Sequence, residues 1–351
     1  MRHLFFIALS MIWIAYADLA QSEEFLSPAW EKYDCHSSSL VETNTGEILV
    51  VWKGGLGEGK SNIDMPSKLG IWQTRYDGEW SAPERVHFEA ESVVWNPVLC
   101  RPLSGDLLLF YRVGESPRSA VAFLRRSSDG GRHWSEPELL PAGIMGPVKN
   151  KPVVLKDGTL VCPSSIQAGS PDAAYRSTAL WFDISSDEGK TWKKSGPLFP
   201  SNHPFGLIEP AIFNDGEGNL RLVCRDRALR DGKEGFIWTA FSEDRGMTWS
   251  GLERTDLPNP DSALDVADLG QGRLVMFYNH CKKERFPLSV AISNDGGKTW
   301  ERKCDLEEKT GEFPAAIRTS DGQIHVTYAY EVASGQRRIK HVAIDPSRLF
   351  E

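Results

Sequence analysis

The chain has 351 residues, which is enough for one large β domain or two ordinary ones. Its 40 basic and 48 acidic residues give a net charge of −8 without a basic run. This balance argues against nucleic-acid binding and against an anionic membrane surface as a partner. Repeats continue from about residue 34 to 345 with no Pro/Ser-rich linker between them, which favours a single domain.

The N-terminus has the pattern of a secretory signal peptide. Arg2 and His3 precede an apolar run, Leu4–Tyr16, and Ala15–Ala17 fits a small-x-small cleavage site. We expect cleavage after residue 17, or at the latest after residue 20, and a secreted or periplasmic protein with no membrane contact afterwards. The alternative is an uncleaved anchor. The predicted organisation is a signal peptide (1–17), a short N-terminal lead (18–33) and one folded domain (34–351).

A turn motif, Ser-x-Asp-x-Gly-x-x-Trp, occurs four times. Its Ser and Asp side chains can accept hydrogen bonds that close a tight turn, and its glycine tolerates a positive φ. The tryptophan then brings a large apolar surface to the neighbouring sheet. The copies are Ser127–Trp134, Ser185–Trp192, Ser242–Trp249 and Ser293–Trp300.

A second signal with the same period is a glycine followed by an apolar, β-rich run. It begins at Gly46, Gly105, Gly158, Gly218, Gly272 and Gly322. The first and last copies lie 276 residues apart, so the repeat is about 55 residues long. That length accommodates four short strands with their turns, which is one propeller blade. The sequence therefore predicts an all-β, six-bladed β-propeller with four-stranded blades.

In such a propeller, each first strand begins and each second strand ends at the same mouth of the axis, where ligand sites form. The residues at these positions are polar in every predicted blade. In chain order they are His36 with the following loop residues Glu58 and Asp64, Asn96 and Arg112, Asn150 and Lys151, Glu209, Arg225 and Arg227, Asp265 and Arg285, and Tyr330.

The cysteines do not indicate a metal site. Six are present, but none forms a CxxC or Cys/His pair with metal-ligand spacing. Cys162 and Cys224 fall at similar points of consecutive apolar runs, so we expect mostly free, buried thiols. We expect no metal and no cofactor.

The four turns are Asp-boxes, and the chain resembles the sialidase superfamily, in its exported or cytosolic "predicted neuraminidase" branch. The resemblance extends from about His36 to His341. It includes the stretches CHSSSLVE, GLGEG…GIWQTR, GPVKNKPVVL, TDLPNPDSALD, RFPLSVAIS and IKHVAID.

The resemblance implies an exo-acting glycosidase on an acidic oligosaccharide or glycoconjugate. Sialidases hold the substrate carboxylate with three arginines and use a Tyr nucleophile paired with a Glu. By resemblance, Glu209 matches that Glu, Arg225 or Arg227 the second arginine, and Arg285 the third. Asp64, or otherwise Glu58, occupies the loop of the general acid/base.

Two positions depart from the sialidase pattern. His36 stands where the first clamp arginine is expected, and the start of the last blade reads Glu312-Phe313 with no tyrosine. The nearest tyrosines, Tyr328 and Tyr330, lie on the next predicted strand. Three hypotheses follow: a sialidase-like hydrolase, a uronate-polysaccharide hydrolase or lyase in which His36 or a tyrosine moves the proton, and a non-catalytic carbohydrate-binding propeller.

Overall fold

The computed structural model describes residues 19–28, 33–56, 69–169, 176–200 and 206–350. Within these ranges the secondary structure is almost entirely β. The strands are β1 (Ala20–Phe25), β2 (Tyr33–Glu42), β3 (Ile48–Leu56), β4 (Gly70–Tyr76), β5 (Glu84–Phe88), β6 (Val94–Cys100), β7 (Leu107–Val113), β8 (Val121–Ser127), β9 (Glu138–Leu139), β10 (Val153–Val154), β11 (Leu160–Gly169), β12 (Arg176–Ser185), β13 (Lys193–Leu198), β14 (Leu207–Asn214), β15 (Leu220–Asp226), β16 (Phe236–Ser242), β17 (Glu253–Pro258), β18 (Asp265–Asp268), β19 (Leu274–Asn279), β20 (Leu288–Ser293), β21 (Glu301–Glu307), β22 (Glu312–Arg318), β23 (Ile324–Ala333) and β24 (Gln336–Ile344). Short 3₁₀ helices cover Ala228–Asp231 and Pro346–Leu349.

The strands form antiparallel meanders in chain order. Four sheets have four strands each: β6–β9, β10–β13, β14–β17 and β18–β21. The fifth is an eight-stranded sheet ordered β22-β23-β24-β2-β3-β4-β5, with β1 also paired to β24. In it, β2 and β24 meet through one parallel bridge, Asp34 to Arg337. The prediction of an all-β propeller with four-stranded antiparallel blades is confirmed.

The first strands of the sheets gather around a common axis. Contacts join β2 to β6, β14 to β18, β18 to β22 and β22 to β2, while β10 and β11 contact β14. A side chain also crosses the axis, because Lys149 Nζ donates to the backbone oxygen of Pro314 at 2.7 Å. The first strands therefore line the axis, as the predicted topology requires.

The N-terminal segment takes part in the fold. Strand β1, in the stretch predicted as a lead, pairs antiparallel with β24, so that Ala20 lies opposite Ile344. This pairing fastens the two ends of the described chain together. The predicted signal peptide, residues 1–17, lies outside the described residues. In the part that the structure describes, no helix is long and apolar enough to cross a membrane.

The six apolar runs after the repeated glycines form the second strands, β3, β7, β11, β15, β19 and β23. These strands lie inside their sheets and are covered on both faces, which explains why they are apolar continuously and not in alternation. Leu274 to Tyr278 of β19, for example, are fully buried. All six cysteines are free thiols and five of them are buried, as expected.

The four Asp-box turns share one hydrogen-bond pattern. In the last copy, Ser293 Oγ donates to Asp295 Oδ1 at 2.8 Å and accepts from the Gly297 amide at 2.9 Å. Asp295 also accepts from the amide and hydroxyl of Thr299 at 2.9 and 2.6 Å. The serine and aspartate are thus engaged by the turn itself, which gives this motif a structural role.

Alanine at Gly297 should destabilise the fold more than alanine at Gly46. Both glycines are left-handed, with φ of 81° and 84°, so both changes carry the backbone strain, about 1–2 kcal/mol. At Gly297 an added Cβ would also lie 2.7 Å from the Phe213 ring, whereas at Gly46 nothing lies within 4 Å. We expect a total loss of about 2–4 kcal/mol for Gly297→Ala in urea unfolding. Equal losses for the two variants would contradict this packing.

Candidate active site

Left-handed backbone marks the openings of the first strands. A non-glycine residue with left-handed backbone costs about 1–3 kcal/mol of folding free energy, and such residues are concentrated at functional sites. Register shifts accompany the left-handed residues in β2, β6, β14 and β22 and turn their side chains out of the regular pleat. The left-handed residues are Ser37, Asn96, Lys149, Glu209, Asp261 and Phe313, with φ between 38° and 77°.

Glu209 lies at the centre of this mouth in an ion-pair chain. Arg225 Nη1 donates to Glu209 Oε2 at 2.8 Å, and Arg225 Nε donates to Asp261 Oδ1 at 2.8 Å. Burial raises the pKa of Glu209, but the charge and hydrogen bond of Arg225, aided by Lys149 and Arg285, hold that pKa below its ordinary value. Glu209 is therefore ionised at neutral pH.

A second chain of ion pairs continues from Asp261 to the last strand. Arg285 Nη2 donates to the backbone oxygen of Asp261 at 2.9 Å, and its Nη1 lies 3.2 Å from Glu312. Arg337 approaches the same Glu312 at 3.4 Å and donates to both carboxylate oxygens of Asp34 at 2.8 and 3.0 Å. Sequence reasoning missed Arg337, which reaches the site only because β24 lies beside β2.

His36 occupies the expected position at the first-strand opening. Its Nδ1 lies 2.9 Å from Ser37 Oγ, and its ring centroid is 5.6 Å from that of Phe313. Burial, with the positive charges of Lys53 and Arg337, lowers the pKa of His36 well below its ordinary value. The imidazole is therefore neutral and cannot replace the charge of a clamp arginine.

Phe313 lies at the last opening, where the resemblance to sialidases implies a tyrosine. Its ring lies beside His36 and 5.9 Å from the guanidinium carbon of Arg285. A phenylalanine ring has no hydroxyl, so this position supplies no nucleophile.

Lys53 and Arg112 form the remaining wall of the mouth. Lys53 Nζ lies 4.1 Å above the ring of Trp95, and burial lowers the pKa of Lys53 to about 8, with Arg337 and Arg112 adding to the effect and Asp34 opposing it. Arg112 is buried, and burial lowers its pKa to about 10 although Glu209 counters this. Sequence reasoning predicts that Arg112 binds substrate and places Lys53 at the end of the first blade's second strand without assigning it a role.

We call this group the axial cluster. Its members lie at strand ends around the mouth, and each is linked to another member by a contact or by its charge. They are Asp34, His36, Lys53, Arg112, Lys149, Glu209, Arg225, Arg227, Asp261, Arg285, Glu312, Phe313 and Arg337.

Arg227 and Asn150 lie at this mouth but have partners within the protein. Arg227 Nη1 donates to Gln167 Oε1 at 2.8 Å, and its Nε is 4.0 Å from Asp261. Asn150 Nδ2 donates to the backbone oxygen of Glu209 at 2.9 Å, so it positions that residue.

Lys151 and Asp265, both predicted to bind substrate, bind each other across the axis at 2.8 Å. Asp265 also accepts from the Ala316 amide at 2.8 Å, which ties a third sheet to the pair. Their charges are satisfied inside the protein. Asn96, the left-handed residue of β6, lies next to Trp95 at the mouth and is half-buried.

The structure does not bring Tyr330 to the axial cluster. Its ring packs edge-on against Phe25 of β1, 5.4 Å between centroids, and beneath Lys340. Tyr330 is paired with Arg338, and neighbouring residues of a strand face opposite sides of a sheet. It therefore faces away from the side that Arg337 presents to the site. Glu58 and Asp64, the predicted acid/base candidates, lie outside the described residues.

Comparison with known proteins agrees with this fold. A sialidase structure from Streptococcus pneumoniae superposes with a TM-score of 0.70 at 13% identity, covering 92% of this chain and 70% of that one. A protein of unknown function from Dyadobacter fermentans superposes with a TM-score of 0.76 at 17% identity, covering 93% and 98%. The fold is thus that of a sialidase-like propeller.

A match of the sequence to a family model identifies the family. The BNR repeat-like domain matches residues 46–326, and the chain belongs to this family. A sialidase of Bacteroides fragilis is 24% identical over 274 residues, which cover 72% of this chain. The match spans only 44% of that sialidase.

Replacing Arg225 by methionine should destabilise the protein strongly. The change leaves Glu209 and Asp261 buried without their cation, a loss of about 3–5 kcal/mol. Lys298→Met, which removes an exposed pair with Glu217 at 3.1 Å, should cost less than about 1 kcal/mol. Urea unfolding at pH 7 measures both.

The loss of stability in Arg225→Met should depend on pH. Because the folded pKa of Glu209 lies below its ordinary 4.5, the stabilisation is complete above that value. It declines as pH falls through the lower, folded pKa. The difference in unfolding free energy between wild type and Arg225→Met should therefore become smaller in acid. A difference that widens in acid would contradict the assignment of an ionised Glu209.

Proposed function

We propose that the propeller has six blades. On this count the eight-stranded sheet comprises two of them, β2–β5 and β22–β24 with β1, joined only at the bridge from Asp34 to Arg337. The six left-handed strand openings and the repeat of about 55 residues support the count.

We infer that this protein is an exported glycoside hydrolase that removes an acidic sugar, sialic or uronic, from the end of a glycan. The observation that carries this proposal is an ionised, buried carboxylate, Glu209, inside a mouth with excess positive charge. Among the described residues, the axial cluster contains seven Lys and Arg side chains and four carboxylates. In a protein of net charge −8, such a mouth favours an anionic ligand.

The proposed chemistry uses two carboxyl groups. Glu209, kept ionised by Arg225, acts as the base that activates water. Asp64, or otherwise Glu58, both in the segment 57–68, protonates the leaving oxygen. Because Phe313 has no hydroxyl, the covalent tyrosine route is absent, and a single displacement with inversion at the anomeric carbon is expected.

Two observations support other functions. The neutral imidazole of His36 can accept a proton, which would suit a uronate-specific hydrolase or lyase. Phe313 in place of a nucleophile would suit a carbohydrate-binding propeller without turnover. A lyase would release a product that absorbs ultraviolet light through its new C=C bond, and its activity would be lost in His36→Ala.

The test is hydrolysis of a panel of sialosides and uronic-acid glycosides, with product anomers assigned by NMR. Glu209→Gln should reduce kcat by about 10²-fold or more, because the amide cannot accept the proton. Glu217→Gln, a change at an exposed glutamate, should leave kcat unaltered. The partner acid should be whichever of Asp64→Asn and Glu58→Gln abolishes turnover.

Folded wild-type protein that binds an acidic glycan and hydrolyses none of the panel would contradict the proposal and favour the binding propeller. Activity that persists in Glu209→Gln would remove Glu209 as the base.

A further inference from the structure

Two cations of the axial cluster differ from the others because the described residues give them no polar partner. Arg112 is 4% exposed, makes no hydrogen bond or ion pair, and has a buried, unpaired Nε. Lys53 is 3% exposed, and its Nζ lies 4.1 Å from the centre of the Trp95 ring. Both open on the same mouth, with Arg112 near Glu209 and Lys53 near His36.

The other arginines of the cluster are already occupied. Arg225 is held by Glu209 and Asp261, and Arg337 is held bidentately by Asp34. Arg285 is shared between Glu312 and a backbone oxygen. Part of the donor set of each of these guanidinium groups is therefore already committed to the protein.

Buried cations without a contacting partner are costly to a protein, since each has lost hydration without gaining a hydrogen-bonded ion pair. Trp95 links the two, because it pairs with Arg112 across β6 and β7 and its ring lies under Lys53 Nζ. Burial is the main cause of the lowered pKa of Lys53, and the charge of Arg112 adds a smaller effect. A site that contains both Arg112 and Lys53 is suited to an anion, which would supply a negative charge and hydrogen-bond acceptors.

We propose that Arg112 and Lys53 form the socket for the carboxylate of the acidic sugar. The guanidinium of Arg112 is planar and can bind two oxygens of a carboxylate at once, while Lys53 supplies a compact second charge. Trp95 and the neutral His36 border the socket. The paired arginines then act as positioning residues that keep Glu209 and the other carboxylates of the axial cluster in place. This inference rests on the proposed function only for the identity of the ligand as a sugar acid.

The test measures binding without turnover. The probe is sodium glucuronate, with glucuronamide as its uncharged isostere, titrated by calorimetry into the full mature protein. Glucuronate should bind and glucuronamide should bind much more weakly. Arg112→Met and Lys53→Met should each weaken glucuronate binding by about 30-fold or more. Arg126→Met, which removes an arginine paired with Glu138 outside the cluster, should not change it.

A second measurement separates binding from folding. Without ligand, Arg112→Met and Lys53→Met should melt at a higher temperature than wild type, because each removes a buried charge that has no contacting partner among the described residues. Removing a cation that is satisfied in the folded protein would lower the melting temperature instead.

The outcomes are distinct. Weakened glucuronate binding together with raised stability supports the socket. Wild-type affinity in both methionine variants, or lower ligand-free stability than wild type, overturns it. Selective glucuronate binding by a protein that hydrolyses no glycoside refutes the proposed hydrolase and leaves the socket standing.

Discussion

The arrangement of the site depends on one interaction, the contact of Arg225 with both Glu209 and Asp261. Each carboxylate comes from a left-handed residue at a strand opening, where the backbone is strained. The guanidinium joins two neighbouring sheets at the axis and compensates two buried negative charges. Because these three groups are buried, solvent screens their charges little. Their interaction therefore keeps Glu209 ionised and sets the local electrostatic potential. The remaining cations surround this centre.

Closure of the sheets into a ring brings the residues of this interaction together. Sheets that are far apart in the chain place single side chains at one mouth, and the pairing of β1 with β24 holds the two ends of the described chain together. Below the mouth, Lys151 and Asp265 brace opposite sides of the axis. The Asp-box turns keep their serine and aspartate side chains engaged in their own hydrogen bonds. The turns thus have a structural role, and the candidate functional residues lie at the strand openings.

Much of this was predictable from the sequence, because it follows local rules. The Asp-box turns, the buried second strands and the polar strand openings repeat with one period, and Glu209 and Arg225 came from those openings. What the sequence did not reveal depends on pairing between distant strands. Arg337 reaches the site through its bridge to Asp34, and Tyr330 faces away because of its register with Arg338. Likewise, Lys151 and Asp265 satisfy each other across the axis, which no periodicity indicates.

The measurement that tests the account most directly is a crystal structure of the protein with glucuronate or N-acetylneuraminate bound. We expect the sugar in the axial mouth, with its carboxylate at about 3 Å from Arg112 and Lys53. Its anomeric carbon should face Glu209. A sugar bound on the outer edges of the blades, or one whose carboxylate displaces Glu209 from Arg225, would contradict the account.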